Sequence, residues 1–391
     1  MRLLYLDYCA SAPIHPKVYE HYIKASKELY ANPSSAHQLG FESNGIVEEA
    51  REDIASILEI SPREVIFTSG ATESNNLAII GVARAARKSS TEKVHIITSV
   101  IEHSSVFNCC KYLEEEGFEI TYVPVDMDGR VSVETIKNSI KSNTILVSIM
   151  HVNNETGTIQ PIDEISKMIK GKGNIFFHVD GVQGFTKAAI DLSDIDLYTL
   201  SGHKIGAAKG VGVLIVKENI KLKPMIFGGG QEAGLRSGTT NVPGVISLAE
   251  AIKIGILEKN EKMEYIKKLN AFIVDGLKSI PGIVINSPGG EISSPHILNI
   301  SSTEPGLNSA IILNLLSKKG IIASSQSACS SKSNKQSRIL MEMTNDTLIS
   351  SNSVRFSFNE SVNREDAEYL LDSLEKIIIQ VRKNGRFAVS I

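Results

Sequence analysis

The chain has 391 residues, of which 42% are hydrophobic and 22% charged, and a formal net charge of −3 at pH 7. That length allows two or three domains with a sizeable core. The nearly balanced charge leaves no electrostatic reason to expect nucleic acid as the main ligand. No run of eighteen apolar residues occurs, so no membrane-spanning helix is expected. The opening Met1-Arg2-Leu3-Leu4-Tyr5-Leu6-Asp7 reaches an acid too early for a secretory signal. The four cysteines, Cys9, Cys109, Cys110 and Cys329, show neither metal-ligand spacing nor a disulfide framework. A cytoplasmic setting is expected, with no metal and no membrane partner.

Taken in chain order, a one-face stripe of Ile46, Ala50, Ile54 and Leu58 predicts a helix over 45–58. Short apolar runs then alternate with helix-length segments. Strands are expected at 64–68, 95–99, 121–124, 145–149, 175–180, 197–201 and 212–216. This is the signature of βαβ units in a mostly parallel sheet, hence an α/β fold. Past residue 245 the pattern changes to one long helix over 244–276, strand-like pieces at 282–286 and 296–300, and helices near 308–319 and 364–381. That reads as a smaller α+β domain. The expected division is 15–255 for the large domain, with 1–14 and 256–391 for the small one.

Several segments carry chemistry. Lys204 follows the strand ending at Ser201, and Asp180 closes the strand 175–180. Together they offer an amine for an aldehyde and an acid for a pyridinium nitrogen. Ser69-Gly70-Ala71-Thr72 joins a strand to a helix opening, so it is either a phosphate site on free amides or a turn capped by Thr72. His103 is placed to stack on a ring or move a proton. Asn154 would donate to a ring oxygen or stabilise a turn. The glycine-rich 228–239 lacks dinucleotide spacing and offers Arg236 and one hydroxyl to an anion. Arg355, alternating with apolar residues, needs a carboxylate from the protein or from a substrate. Cys109 and Cys110 suit inert helix packing. Cys329 alone sits in a small polar loop within 324–337, as a swinging nucleophile would.

In order, the motifs are Tyr5-Leu6-Asp7-Tyr8, Asn32-Pro33-Ser34-Ser35, Thr68-Ser69-Gly70-Ala71-Thr72-Glu73-Ser74, Glu102-His103, His151-Val152-Asn153-Asn154-Glu155-Thr156-Gly157, His178-Val179-Asp180, Ser201-Gly202-His203-Lys204, Arg236-Ser237-Gly238-Thr239, Ser327-Ala328-Cys329 and Val354-Arg355-Phe356-Ser357. The set resembles the PLP-dependent cysteine desulfurases of the class V aminotransferase group, nearest to the housekeeping and nitrogen-fixation subgroup, over nearly the whole chain. The resemblance implies the fold-type I PLP transferase architecture and a homodimer binding pyridoxal 5'-phosphate. Lys204 would form the Schiff base and Asp180 would hold the ring nitrogen, with His103 stacked on the ring. Ala71, Thr72, Ser201 and His203 would bind phosphate, helped by Thr239 of a second subunit. Asn154 and Gln183 would touch ring substituents.

On the same resemblance, Arg355 with Asn32 would grip the carboxylate of L-cysteine, and Cys329 would take the sulfur as a persulfide, leaving L-alanine. An acceptor protein would receive that sulfur, whether an iron–sulfur scaffold, a tRNA-thiolation protein or a DNA sulfur-modification protein. Competing expectations are a selenocysteine lyase or other PLP β-lyase, and a non-enzymatic sulfur-relay scaffold. The chain departs from the family pattern at Cys9, Gly181, Gly206-Ala207-Ala208, Gln326 and Asn359.

Overall fold

The computed structural model describes residues 2–89, 93–173, 175–325 and 336–388. The first part of the chain runs β1 (Leu4–Tyr5), α1 (Pro16–Glu28), α2 (Gln38–Ile57), β2 (Val65–Thr68), α3 (Ala71–Ala86), β3 (His95–Ser99), α4 (Ser104–Glu115) and β4 (Glu119–Val123). The middle adds α5 (Val133–Ser139), β5 (Thr144–Met150), α6 (Ile162–Ile169), β6 (Phe176–Asp180), β7 (Leu197–Ser201) and β8 (Gly212–Val216). The last part comprises α7 (Val242–Leu257), α8 (Lys259–Lys278), β9 (Ile283–Ile285), β10 (Ile297–Ser302), α9 (Ser309–Lys318), β11 (Ile321–Ile322), α10 (Arg338–Thr344), α11 (Thr347–Ser351), β12 (Ser353–Ser357) and α12 (Arg364–Ala388).

Seven strands form one sheet in the order β2-β8-β7-β6-β5-β3-β4. β8 runs antiparallel to β2 and β7, and the other pairings are parallel. Both faces are covered, and the inner strands β3, β5, β6, β7 and β8 are buried almost throughout. On one face Val47 and Ile54 of α2 and Val245 and Leu248 of α7 share a core with Val147 and Val179. On the other, Leu77 and Ile80 of α3 and Val106 and Leu113 of α4 pack with Ile96 and Leu146. A second, antiparallel sheet, β12-β10-β9, is covered by α8, α9 and α12 through Ile273, Leu316 and Leu374. β1 joins this later part of the chain: Leu4 pairs with Ile321 and Tyr5 with Ile322.

Two expectations change. α2 starts at Gln38, ahead of the predicted 45, because Leu39 and Phe41 in its first turns are exposed and leave no inward stripe to read. The single helix expected over 244–276 is two helices that break at Glu258. The reason is that α7 buries Val245, Leu248 and Ile252 in the large-sheet core, while α8 buries Ile266, Leu269 and Ile273 in the other core. One straight stripe cannot face both. Among the described residues no helix is long and apolar enough to cross a membrane.

Candidate active site

The carboxyl ends of β2, β5, β6 and β7 open on a cavity of about 530 Å³, where ligands collect in sheets of this kind. After β2 the chain turns through Gly70, whose φ of 147° is open to glycine and costly for other residues. Gly70 is the N-cap of α3 and has no side chain to cap with. Thr72 already lies inside the helix, so the capped-turn alternative fails. The first amides of α3 therefore have no acceptor within the helix, and they line the cavity at Ala71, Thr72 and Glu73.

Lys204 ends the short turn that follows β7. Its Nζ donates to the backbone carbonyls of Cys9 and Ala10, the second at 3.0 Å. Burial pushes the ammonium down to about 8, and Arg355 and Lys187 act in the same direction. Asp180, the last residue of β6, accepts from Asn75 Nδ2 at 2.8 Å and from the Val182 amide at 3.1 Å. His103 is the N-cap of α4, and burial holds its imidazolium below the ordinary range. His203 is likewise pushed down to about 4, first by burial and then by Lys204.

The neighbouring asparagines divide their work. Asn153 Oδ1 accepts from the amides of Glu155 (2.9 Å) and Thr156 (3.0 Å), so it makes the turn that the sequence reading considered for Asn154. Asn154 Oδ1 is buried with no partner. Arg355 is 2% exposed and is held by Asp7 Oδ1, Ser324 Oγ and the Asn154 carbonyl, each at 2.8 Å. Its Nε has no partner. A buried guanidinium with one N–H unpaired, beside an unpaired amide oxygen, is an unsatisfied arrangement that a ligand would complete.

Of the residues expected in the site, Ala71, Thr72, His103, Asn154, Asp180, Gln183, Ser201, His203, Lys204 and Arg355 all line this cavity. Asn32 and Thr239 are exposed and do not. Cys329 and Gln326 lie outside the described residues. The guanidinium expected to await an anion, Arg236, is instead paired with Glu73 at 2.9 Å. That pairing answers the carboxylate at the start of α3, which would otherwise repel an anion there. Cys109 and Cys110 are buried, and burial raises both thiols, Cys109 to about 12. Sequence reasoning missed Asn75 and Ser105, which support Asp180 and His103, and Asp7, which holds Arg355. Asp7 sits in a quoted motif and Asn75 directly follows one, but partners so distant in the chain leave no spacing signal.

Gly181, a departure from the family pattern, has a local cause. A Cβ there would lie 2.0 Å from Tyr198 Cζ. The Tyr198 ring occupies that space and its hydroxyl sits 3.1 Å from His151 Nδ1.

Residues 4–370 match the family model described as "Aminotransferase class-V". The chain is 42% identical to "Cysteine desulfurase IscS" of Dictyoglomus turgidum, with 97% of this chain and 96% of that protein covered. Among solved structures, "NIFS-LIKE PROTEIN" superposes with a TM-score of 0.89 at 38% identity, covering 96% of this chain and 99% of the other. "SspA in complex with cysteine" superposes with a TM-score of 0.79 at 35% identity, covering 91% and 98%. With its sheet order, its cavity and these relatives, the chain belongs to the aminotransferase class-V family, a PLP-dependent family, among relatives named cysteine desulfurases.

Proposed function

We propose that the protein is a cysteine desulfurase that uses pyridoxal 5'-phosphate. The observation that carries this reading is the convergence of Lys204, Asp180, His103, the α3 amides and Arg355 on one cavity. The donor set suits the cofactor. The free amides of Ala71 and Thr72, with Ser201 and His203, would hold the phosphate. Asp180 would hold the ring nitrogen, His103 would stack on the ring, and Asn154 and Gln183 would meet its substituents. The buried, unpartnered Asn154 Oδ1 is a place such a substituent would fill. Thr239 would add to the phosphate site of a second subunit in a homodimer. When bound, the cofactor supplies an electron sink for negative charge at the substrate α-carbon.

The remaining work belongs to the protein. Arg355, with its unpaired Nε and with Asn32, orients the carboxylate of L-cysteine. Asp7 keeps that guanidinium in place at 2.8 Å. Lys204 Nζ, with its ammonium pushed down to about 8, exists partly as the free amine at neutral pH and moves a proton at the α-carbon. Cys329 attacks the substrate sulfur. The substrate C–S bond breaks and an S–S bond forms on Cys329, so cysteine plus thiol becomes alanine plus persulfide. An acceptor protein then takes the sulfur, for iron–sulfur assembly, tRNA thiolation or DNA phosphorothioate modification, in the cytoplasm. The reading also divides the chain into a large unit, 15–255, and a smaller one, 1–14 with 256–391. The pairing of β1 with β11 supports that division.

The test is to supply L-cysteine and a dithiol reductant, which cleaves the persulfide S–S bond, to the PLP-loaded protein and measure alanine and sulfide. The wild type is expected to yield both, and Cys329→Ala to retain the cofactor's absorbance while producing neither. Full turnover by Cys329→Ala would sink the persulfide route, and a wild type unable to hold the cofactor would sink the whole reading.

A further inference from the structure

Two buried side chains, Asn75 and Ser105, lie between Asp180 and His103. Asn75 Nδ2 donates to Asp180 Oδ2 and to Ser105 Oγ, both at 2.8 Å. An amide nitrogen only donates and an ionised carboxylate only accepts. Turning the Asn75 amide over would set its oxygen against Asp180, so the carboxylate dictates the orientation even though Asn75 Oδ1 is left without a partner. Ser105 Oγ is thereby committed as an acceptor toward Asn75. Its single hydroxyl proton then points to His103 Nδ1, 2.8 Å away. The Ser105 backbone N–H, which cannot accept, is aimed at the same nitrogen at 3.2 Å. Two donors converge on Nδ1, and the lone pair must be there.

We infer that Asn75 and Ser105 are positioning residues that hold His103 as the neutral Nε2–H tautomer, so that it meets a ligand as a hydrogen-bond donor and not as a base. Asp180, accepting from Asn75, is the start of the relay and the ring of His103 is its end. The charged groups around that ring are Asp180, Lys204, Arg338 and Arg355, and burial of the ring outweighs the pull of Asp180 toward the imidazolium. The tautomer stands on these hydrogen bonds alone; only its catalytic meaning rests on the proposed function.

The experiment uses cofactor-free full-length protein labelled with ¹⁵N,¹³C-histidine. The imidazole tautomers are read by NMR, and His103 is assigned by the signal lost in His103→Gln. Wild type is expected to show His103 protonated at Nε2 and bare at Nδ1 at pH 7. Ser105→Ala removes the hydroxyl donor and is expected to mix the tautomers and raise the titration midpoint by about one unit. Asn75→Asp turns the Ser105 proton toward the introduced carboxylate and is expected to act in the same direction. Ser105→Thr is expected to restore wild-type behaviour. Thermal melts report whether each variant folds. An Nδ1–H ring in the wild type overturns the inference, whatever the variants do. So do Ser105→Ala and Asn75→Asp variants that fold and titrate like the wild type. The Nε2–H form in a protein inactive on cysteine supports the tautomer and overturns only the functional reading.

Discussion

The two ends of the cavity are built in opposite ways. At the α3 end, the donors are consecutive residues, Ala71 to Glu73, presented by a helix start and one left-handed glycine. At the Arg355 end, one guanidinium depends on Asp7, Asn154 and Ser324, partners that lie 348, 201 and 31 residues away in the chain. A local turn supplies an anion site as soon as the helix forms, because the amides are unpaired by helix geometry. A buried cation must instead be paired by tertiary structure or not be buried at all. The first end is therefore robust and weakly selective, and the second fragile and specific.

Arg355→Ala attacks the fragile end and carries the largest expected effect. It strands Asp7 and removes the proposed substrate clamp, so denaturant unfolding is expected to show a loss of about 3 kcal/mol. The kcat/KM for cysteine falls about a hundredfold, mostly through KM. Arg355→Lys would restore part of the stability but little of the KM, since an ammonium cannot reproduce the fork. An Arg355→Ala protein as stable as the wild type would dissolve the contrast between the two ends.

Gly70→Ala tests the local end. Forcing a side chain to φ 147° costs about 1–2 kcal/mol. The expected result is a cofactor Kd raised about tenfold with cysteine KM little changed, measured by fluorescence titration of the cofactor-free protein. Lys204, between the two ends, gives a pH signature. Burial disfavours its ammonium, so the capture of pyridoxal phosphate by cofactor-free protein should track the free amine with a midpoint near 8. The rate is expected to rise about fivefold from pH 7 to pH 8 and level off above about pH 9, where an ordinary lysine would keep gaining until about pH 10.4. The sign for stability follows. Above about pH 8 the folded protein has shed a proton that the unfolded chain keeps until about 10.5, so this group favours folding as pH rises through that window. Asn154→Ala has the smallest expected effect on the fold, within about 0.5 kcal/mol, because its Oδ1 has no partner to lose. Its effect should appear in cofactor affinity, by a few-fold, whereas Asn153→Ala should instead lower the melting temperature.

Much of the large sheet was legible beforehand. β3, β7 and β8 run over the residues their apolar runs predicted, because strands buried on both faces have little freedom in composition. Helix starts were less legible: α2 begins with exposed Leu39 and Phe41, and the α7–α8 break falls on Glu258 itself, with only Gly255 three residues earlier to hint at it. In the site, Lys204, Asp180 and His103 were visible because each ends a strand or follows one. Arg236 was misjudged, since its partner Glu73 lies 163 residues away. Asn75 and Ser105 stayed silent because a hydrogen-bond relay has no period.

What the sequence determined by itself was the inventory and its order: Lys204 just after β7, one carboxylate closing β6, His103 beyond the end of β3, and a glycine where the chain must turn sharply. Those follow from backbone sterics and hydrophobic period, which act over a few residues. Tertiary structure decided the pairings. It assigned Asp7 to Arg355, Glu73 to Arg236 and Asn75 to Asp180, and it separated Asn153, which makes a turn, from Asn154, which is left open to the cavity. Charges and buried amides are satisfied by whatever packing brings within about 3 Å, and chain separation does not enter that requirement.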